Sequence, residues 1–288
     1  MEQTPSTPAP ATNTTTDYVS NPFILAFRAF SKFFNANAGW GVAIIILGIF
    51  GGFFQLFGQF LGSPPSDEPM QPASLDPGFS SMHIEPAALA AVIIGVLVII
   101  TIAAAVGFIL QVFIGGMFAY VSLQSQKGQA VSFGEAFHAT TQRFGRLLVA
   151  QAWAGLKIFL WSLLLVVPGI IAALRYALLP YVIMAEPASE KSLIKSHDRV
   201  KAITKGKLLE VFGLGFAAGI IPFVGGVLQI AGSGAQYQQL ASTFDHNVAR
   251  PKTHWLNYLA LIVAGLFLLL IVGLGLLFLA LYAYAATK

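Results

Sequence analysis

Apolar residues run in long blocks along this chain, and polar positions interrupt them at a few places. The stretch from Gly145 to Lys207 shows the pattern most clearly. An apolar segment, RLLVAQAWAGLKIFLWSLLLVV, meets Pro168-Gly169; a second, IIAALRYALLPYVIMAE, returns; a basic segment, SEKSLIKSHDRVKAITKGK, follows. Two such segments with a tight turn between them predict an antiparallel helical hairpin, about Arg146–Val167 and Ile170–Glu186. Pro180 is expected to kink its second arm. The basic segment carries Leu193, Ile194, Val200 and Ile203 among its charges, which predicts an amphipathic helix over about 188–204.

The same pattern divides the rest of the chain. Residues 1–20 are rich in Thr, Pro, Ala and Ser, have no apolar run behind a basic start, and are expected to be a disordered tail and not a signal peptide. The helical domain is expected over 21–288. In 22–38, Phe23, Phe27, Phe30, Phe33 and Phe34 recur at helical spacing around Arg28 and Lys32, as in a helix lying at an interface. A first crossing is expected at about Trp40–Leu61. A second apolar run, about Pro86–Val121, would extend roughly 54 Å, well beyond the roughly 30 Å hydrocarbon core. Ser132 and Glu135 have the spacing of a capping box and predict a short surface helix to Phe144. Pro222 and Gly225-Gly226 divide 208–244 into about Leu208–Ile221 and Val224–Phe244, the first so short that a re-entrant pair is an alternative to two crossings. A last crossing is expected at about Trp255–Ala285. The fold class expected is therefore all-α: a polytopic membrane bundle of about seven transmembrane helices plus interfacial amphipathic helices.

Composition agrees with that class. Hydrophobic residues make up 56% of the chain and charged residues 10%, with a mean hydropathy of +0.75; a soluble domain carries about 25% charged residues. The 16 Lys and Arg against 12 Asp and Glu give a net charge of +4. In a membrane protein that excess reflects orientation, and nucleic-acid binding is not expected. The Pro-rich stretch 63–85 holds Asp67, Glu68, Asp76 and Glu85 and no basic residue, which marks it as external. With the N-terminus in the cytoplasm and the C-terminus outside, every Lys and Arg except Lys157, Arg175 and Lys288 falls on the cytoplasmic side. The expected location is the cytoplasmic membrane. The chain has no cysteine, so disulfides and thiolate chemistry are excluded.

Few residues carry candidate chemistry. Arg175 lies within an apolar arm, where an arginine is costly unless it faces the bundle interior or water. Its depth matches that of Gln55 and Gln229, which predicts a polar pocket shared by Arg175, Gln55 and Gln229, with Lys157 as a further lining charge. A ligand there would be anionic, since guanidinium only donates. Glu210 is the acidic partner that chain order suggests for Lys157. Lys191, Lys195, Arg199 and Lys201 form the charged side of the basic helix and are expected to face anionic lipid. His83, His138, His197, His246 and His254 lack metal-ligand spacing. There is no H-E-x-x-H, G-x-S-x-G or Walker motif, so neither metal nor cofactor is expected.

Asn21-Pro22, Pro168-Gly169-Ile170, Arg175-Tyr176, Pro180-Tyr181, Glu186, Ser192, Ser196, Lys205-Gly206, Tyr237 and Leu240 together resemble a bacterial integral-membrane superfamily. It includes the membrane domain found with some glycerophosphoryl diester phosphodiesterases and related uncharacterised membrane families. The resemblance covers about 21–247. It implies a helical membrane domain and no particular chemistry, because no phosphodiesterase domain is present; the crossing after residue 254 departs from it. The function expected is a non-catalytic scaffold or accessory protein that interacts with lipid. The alternatives are a transporter or channel component built around Arg175, and a lipid-acting enzyme for which no catalytic set is visible. The sequence names no protein partner.

Overall fold

A computed structural model describes residues 18–62 and 86–286, with the side chains of 51–62, 86, 88 and 286 outside that description. All regular structure among the described residues is helical. The expected tail up to residue 17 and the acidic stretch 63–85 lie outside the described residues.

Helix α1 (Pro22–Gly62) starts where Asn21 Oδ1 accepts from the N–H groups of Phe23 and Ile24, at 3.0 and 3.2 Å. Proline at the first helical position loses no hydrogen bond there. The helix bends at Asn37 (φ −142°, ψ 51°), one residue before the expected end of the surface helix. Asn37 is buried, and its amide does the fastening. Nδ2 donates to Ser125 Oγ and the Gln129 carbonyl at 2.8 and 2.9 Å, and Oδ1 accepts from Val131 N–H at 2.7 Å. Helix α2 (Pro86–Gln126) is unbroken and about 60 Å long by helical rise.

Helix α3 (Phe133–Leu164) opens on the expected capping box, with Ser132 and Glu135 satisfying each other's backbone N–H. It then runs on without a break, so the surface helix and the first hairpin arm are one helix. The turn falls three residues earlier than expected, at Leu165 (φ −158°, ψ 138°). Pro168 and Gly169 lie in the first turn of helix α4 (Val166–Tyr176). Proline is harmless there, since a first-turn N–H has no intrahelical partner. Gly169 is needed for contact: a Cβ on it would overlap Ser162 of α3. The second arm breaks at Ala177–Leu178 and resumes as helix α5 (Leu179–Ala185), with Pro180 in its first turn.

Ser192 caps helix α6 (Leu193–Thr204), and Gly206 (φ +76°) turns the chain into helix α7 (Leu208–Gly219). Helix α8 (Gly225–Asp245) returns after the turn at Pro222, as the sequence predicts. Helix α9 (Trp255–Ala286) ends the described chain. Five segments among the described residues have the length and hydropathy of a membrane crossing: Pro22–Phe50, Leu89–Gln126, Phe133–Leu164, Val166–Ala185 and Trp255–Ala285. The sequence led us to expect about seven. Helix α7 is only about 18 Å long, and α8 carries Gln229, Gln236, Gln238 and Gln239 in its 21 residues.

The core lies at one end. It takes Leu25, Ala29 and Phe33 from the start of α1, residues between Val112 and Leu123 of α2 and between Leu147 and Ala154 of α3, Leu179 and Tyr181–Met184 of α5, and residues of α8 between Val227 and Thr243. Polar α8 is packed against α1, α2, α5, α6 and α7, with twelve of its 21 residues buried. Its small residues allow this. A Cβ on Gly232 would strike Leu214, and one on Gly234 would strike Ser122. Ser122 and Tyr181 both donate to the Ile230 carbonyl, at 2.8 and 3.1 Å. In contrast, the apolar residues of α2 from Leu89 to Leu110 and of α9 from Leu261 to Tyr284 stand exposed. Overpacking typically costs about 1–3 kcal/mol, so Gly234→Val is expected to lower thermal stability in detergent. Gly107→Ala, where a Cβ meets nothing within 4 Å, should leave the melting temperature unchanged or raise it.

Candidate functional site

The charged residues gather at the end of the molecule that holds the core. Arg146 of α3, with a side chain 7% exposed, donates to Glu186 Oε2 at 2.8 Å and to the Ile183 carbonyl at 2.9 Å. It also donates to the Glu190 carbonyl. The Ile183 carbonyl is one of those left open where α5 ends, and a cation at a helix C-terminus complements its dipole. Ser196 of α6 donates to the same Glu186 oxygen at 2.9 Å, and Arg143 donates to the Glu186 carbonyl at 3.2 Å. One carboxylate thus ties α3, the end of α5, and α6 together.

A second clamp closes around the entry of the chain. Lys207 Nζ and Glu210 Oε1 lie 2.7 Å apart, each side chain 5% exposed. Tyr18 donates to Glu210 Oε2 at 2.6 Å, and Lys207 also donates to the Pro251 carbonyl at 2.5 Å. Burial, then the hydrogen bond to Glu210, pushes the Tyr18 phenol well above its ordinary range. Asn257 of α9 donates to the Ser20 carbonyl at 2.9 Å. Residues 18–20 are therefore held by contacts to α7 and α9. Glu210 serves this clamp and is not the partner of Lys157.

The basic segment leaves Lys191 and Lys195 exposed and turns Arg199 inward. Arg199 pairs with Asp245 at 2.8 Å and so fastens α6 to α8. Lys195 pairs with Glu190 and Lys201 with Asp198, each at 3.3 Å. Lys191 is exposed beside a shallow cavity shared with Arg143 and Arg146.

Of the residues expected to share a pocket, Arg175, Gln229 and Lys157 stand apart from one another. Arg175 stands on an exposed face of α4. Gln229 donates to Ser233 of its own helix at 3.1 Å and lines an apolar cleft with Gly48, Gly215 and Phe223. Lys157 Nζ lies 4.9 Å from the Trp153 ring centre and 5.8 Å from that of Tyr176. No hydrogen bond among the described residues joins Arg175, Gln229 and Lys157 to one another. The side chain of Gln55 lies outside the described residues.

A different cluster surrounds Lys157. A cleft of about 360 Å³ between α3 and α6 is lined by Trp153, Lys157, Ile194, His197, Asp198 and Lys201. His197 is only 4% exposed. Its Nδ1 lies 3.0 Å from the Leu193 carbonyl, its ring meets Tyr176 edge-on, and its buried Nε2 has no hydrogen-bond partner. A carbonyl only accepts, so Nδ1 carries the proton, and in the neutral ring Nε2 is an acceptor. Burial, then the charges of Lys157 and Lys201, pushes the imidazole below its ordinary pKa against the opposing pull of the Leu193 bond and Asp198. Metal-ligand spacing does not reveal His197. The signal is helical: His197, Val200, Ile203 and Thr204 share the buried face of α6. Among the described residues no three His, Cys, Asp or Glu side chains converge as metal ligands do.

The fold defines a class, that of all-helical proteins with several helices of membrane-crossing length. Comparison with protein-family models, with curated proteins and with solved structures found no match.

Proposed function

We propose that the protein is a multi-pass protein of the cytoplasmic membrane, N-terminus inside and C-terminus outside. In this reading it is a non-catalytic scaffold that meets membrane lipid at its cytoplasmic base. The observation that carries the reading is the segregation of the molecule. Ion pairs and the buried core occupy one end, and bare apolar helices leave it. In water such helices would be untenable; in hydrocarbon they need no partner.

Helices α1, α2 and α9 then cross the bilayer. The α3–α4 hairpin enters from the cytoplasmic side and returns. Lys157 lies about 12 Å and Arg175 about 15 Å from the turn at Leu165 by helical rise, half of a roughly 30 Å hydrocarbon core. A hairpin of that depth keeps both cations at headgroup level, where a full crossing would strand them in hydrocarbon. The turn is also economical with polar groups. Leu165 N–H donates to the Trp161 carbonyl at 3.0 Å, and Pro168 has no N–H to leave open. The α7–α8 turn stops at a similar height, since Phe223 shares a cleft with Gly48 and Ile49, about 16 Å above the Asn37 bend. Two hairpins that return to the same side leave the orientation of the termini unchanged from a count of seven.

The kinship with the superfamily of phosphodiesterase-associated membrane domains belongs to this same reading. Glu186, Ser196 and Gly206, which carry the resemblance, each have a place at the base. A transport role would need a polar path, and the dispersal of Arg175, Gln229 and Lys157 gives it no support. Proteoliposomes containing the protein are expected to pass phosphate and chloride no faster than empty liposomes. A flux that tracks the amount of protein would overturn the scaffold reading in favour of transport.

A further inference from the structure

We infer that the α3–α6 cleft binds the headgroup of an anionic phospholipid that carries a hydroxyl donor beside its phosphate. The inference rests on the membrane reading above and adds a defined site to it. Three observations converge on the cleft. Lys157 has no carboxylate partner among the described residues, and Lys201 shares its charge with the more exposed Asp198, so the lining keeps a net positive charge. His197 lines the same cleft, almost wholly buried, with Nε2 an acceptor that nothing satisfies. A buried acceptor without a donor costs free energy unless a ligand supplies one. The wall and rim are Trp153 and Ile194, apolar surface of the kind that meets glycerol and acyl carbons at an interface.

These features select the ligand chemistry. Two ammonium groups want a phosphate oxygen, and a neutral imidazole nitrogen wants an O–H. Phosphate monoesters in their singly charged form and phosphodiesters with a hydroxylated headgroup offer both. Choline headgroups offer neither a net negative charge nor a donor. Placed beside Lys157, at the level where the hairpin leaves the hydrocarbon, the cleft opens where headgroups lie.

Native mass spectrometry of the full-length protein, with phosphatidylglycerol, phosphatidylmethanol, phosphatidylcholine and inorganic phosphate as probes, tests this. Phosphatidylglycerol is expected to bind at least about tenfold more tightly than phosphatidylcholine. Lys157→Gln and Lys201→Gln should each weaken it about tenfold, the scale of one lost charge-assisted hydrogen bond. Lys252→Gln, in the loop before α9 and outside the cleft, should leave it unchanged. Phosphatidylmethanol has the charge without the hydroxyl, so it should bind several-fold more weakly than phosphatidylglycerol to the unaltered protein, and His197→Leu should erase that difference. The wild-type comparison stands even where His197→Leu fails to fold. Equal binding of phosphatidylcholine, or lysine variants that bind like the unaltered protein, would overturn the site. Inorganic phosphate that binds as tightly as phosphatidylglycerol would overturn the lipid as its source. Loss of the site with the termini still on the expected sides would remove this inference and leave the membrane reading intact.

Discussion

Arg146→Leu is expected to destabilise the protein by about 3 kcal/mol, the lower end of what removing one member of a buried ion pair costs. Among the described residues Arg146 is the only side chain that bridges Glu186, the Ile183 carbonyl and the Glu190 carbonyl. Leucine would leave two carbonyls open and a carboxylate held by Ser196 alone. The cost is placed low because Glu186 sits at the edge of the core, its side chain 15% exposed. Glu186→Gln should be milder, since the amide oxygen still accepts from Ser196 and Arg146. A thermal melt in detergent reads both, with the order wild type, then Glu186→Gln, then Arg146→Leu. An Arg146→Leu protein that melts with wild type would show that the clamp is ornamental.

Lys207→Met is expected to cost more, about 3–5 kcal/mol. Lys207 and Glu210 are both almost fully enclosed, and methionine leaves Glu210 with only the Tyr18 hydroxyl. The Pro251 carbonyl loses its donor as well. The damage should reach the chain entry, because residues 18–20 are fastened through Tyr18 to this carboxylate. Limited proteolysis should therefore cut Lys207→Met near its N-terminus faster than wild type, alongside a lower melting temperature. The double variant Lys207→Met, Glu210→Leu should recover most of the loss, since replacing both members of a buried pair with apolar groups is often close to neutral. A double variant as unstable as the single one would contradict that account of the clamp.

Local rules made part of this structure legible. The Ser132–Glu135 capping box, the proline break before α5 and the division of 208–244 at Pro222 are set by chemistry within a few residues. The hairpin turn was misplaced by three residues because Pro-Gly reads as a turn, whereas a helix's first turn accepts proline equally well. Asn37 gave no local sign that it would bend α1; its amide is used by α2 and the loop that follows it, about 90 residues away. The burial of α8 was hidden for a related reason. Hydropathy ranks its glutamines as surface, but its glycines let neighbours approach closely, and Gln238 donates to the Leu123 carbonyl at 3.0 Å.

The candidate site was less legible than the fold. Charge composition finds the basic helix but not that Arg199 turns inward, because Asp245 reaches it from α8. The depth match among Arg175, Gln55 and Gln229 was a one-dimensional argument. Rotation about each helix decides whether equal depths meet, and Arg175 faces outward. Lys157 shares its cleft with residues of α6 that chain order does not suggest, and His197 emerges only when burial shows an acceptor without a donor.

The orientation of the chain and the depth of its first hairpin are the central claim, and one labelling experiment addresses both. The chain has no cysteine, so single cysteines at Ser66, Ser189 and Leu165 report without background. In intact cells a membrane-impermeant maleimide is expected to reach Ser66→Cys only. In inverted vesicles it should reach Ser189→Cys only, and Leu165→Cys should stay unlabelled from either side until detergent is added. Labelling of Ser66→Cys and Ser189→Cys from the same side would contradict the orientation, and labelling of Leu165→Cys in intact cells would make the hairpin a full crossing.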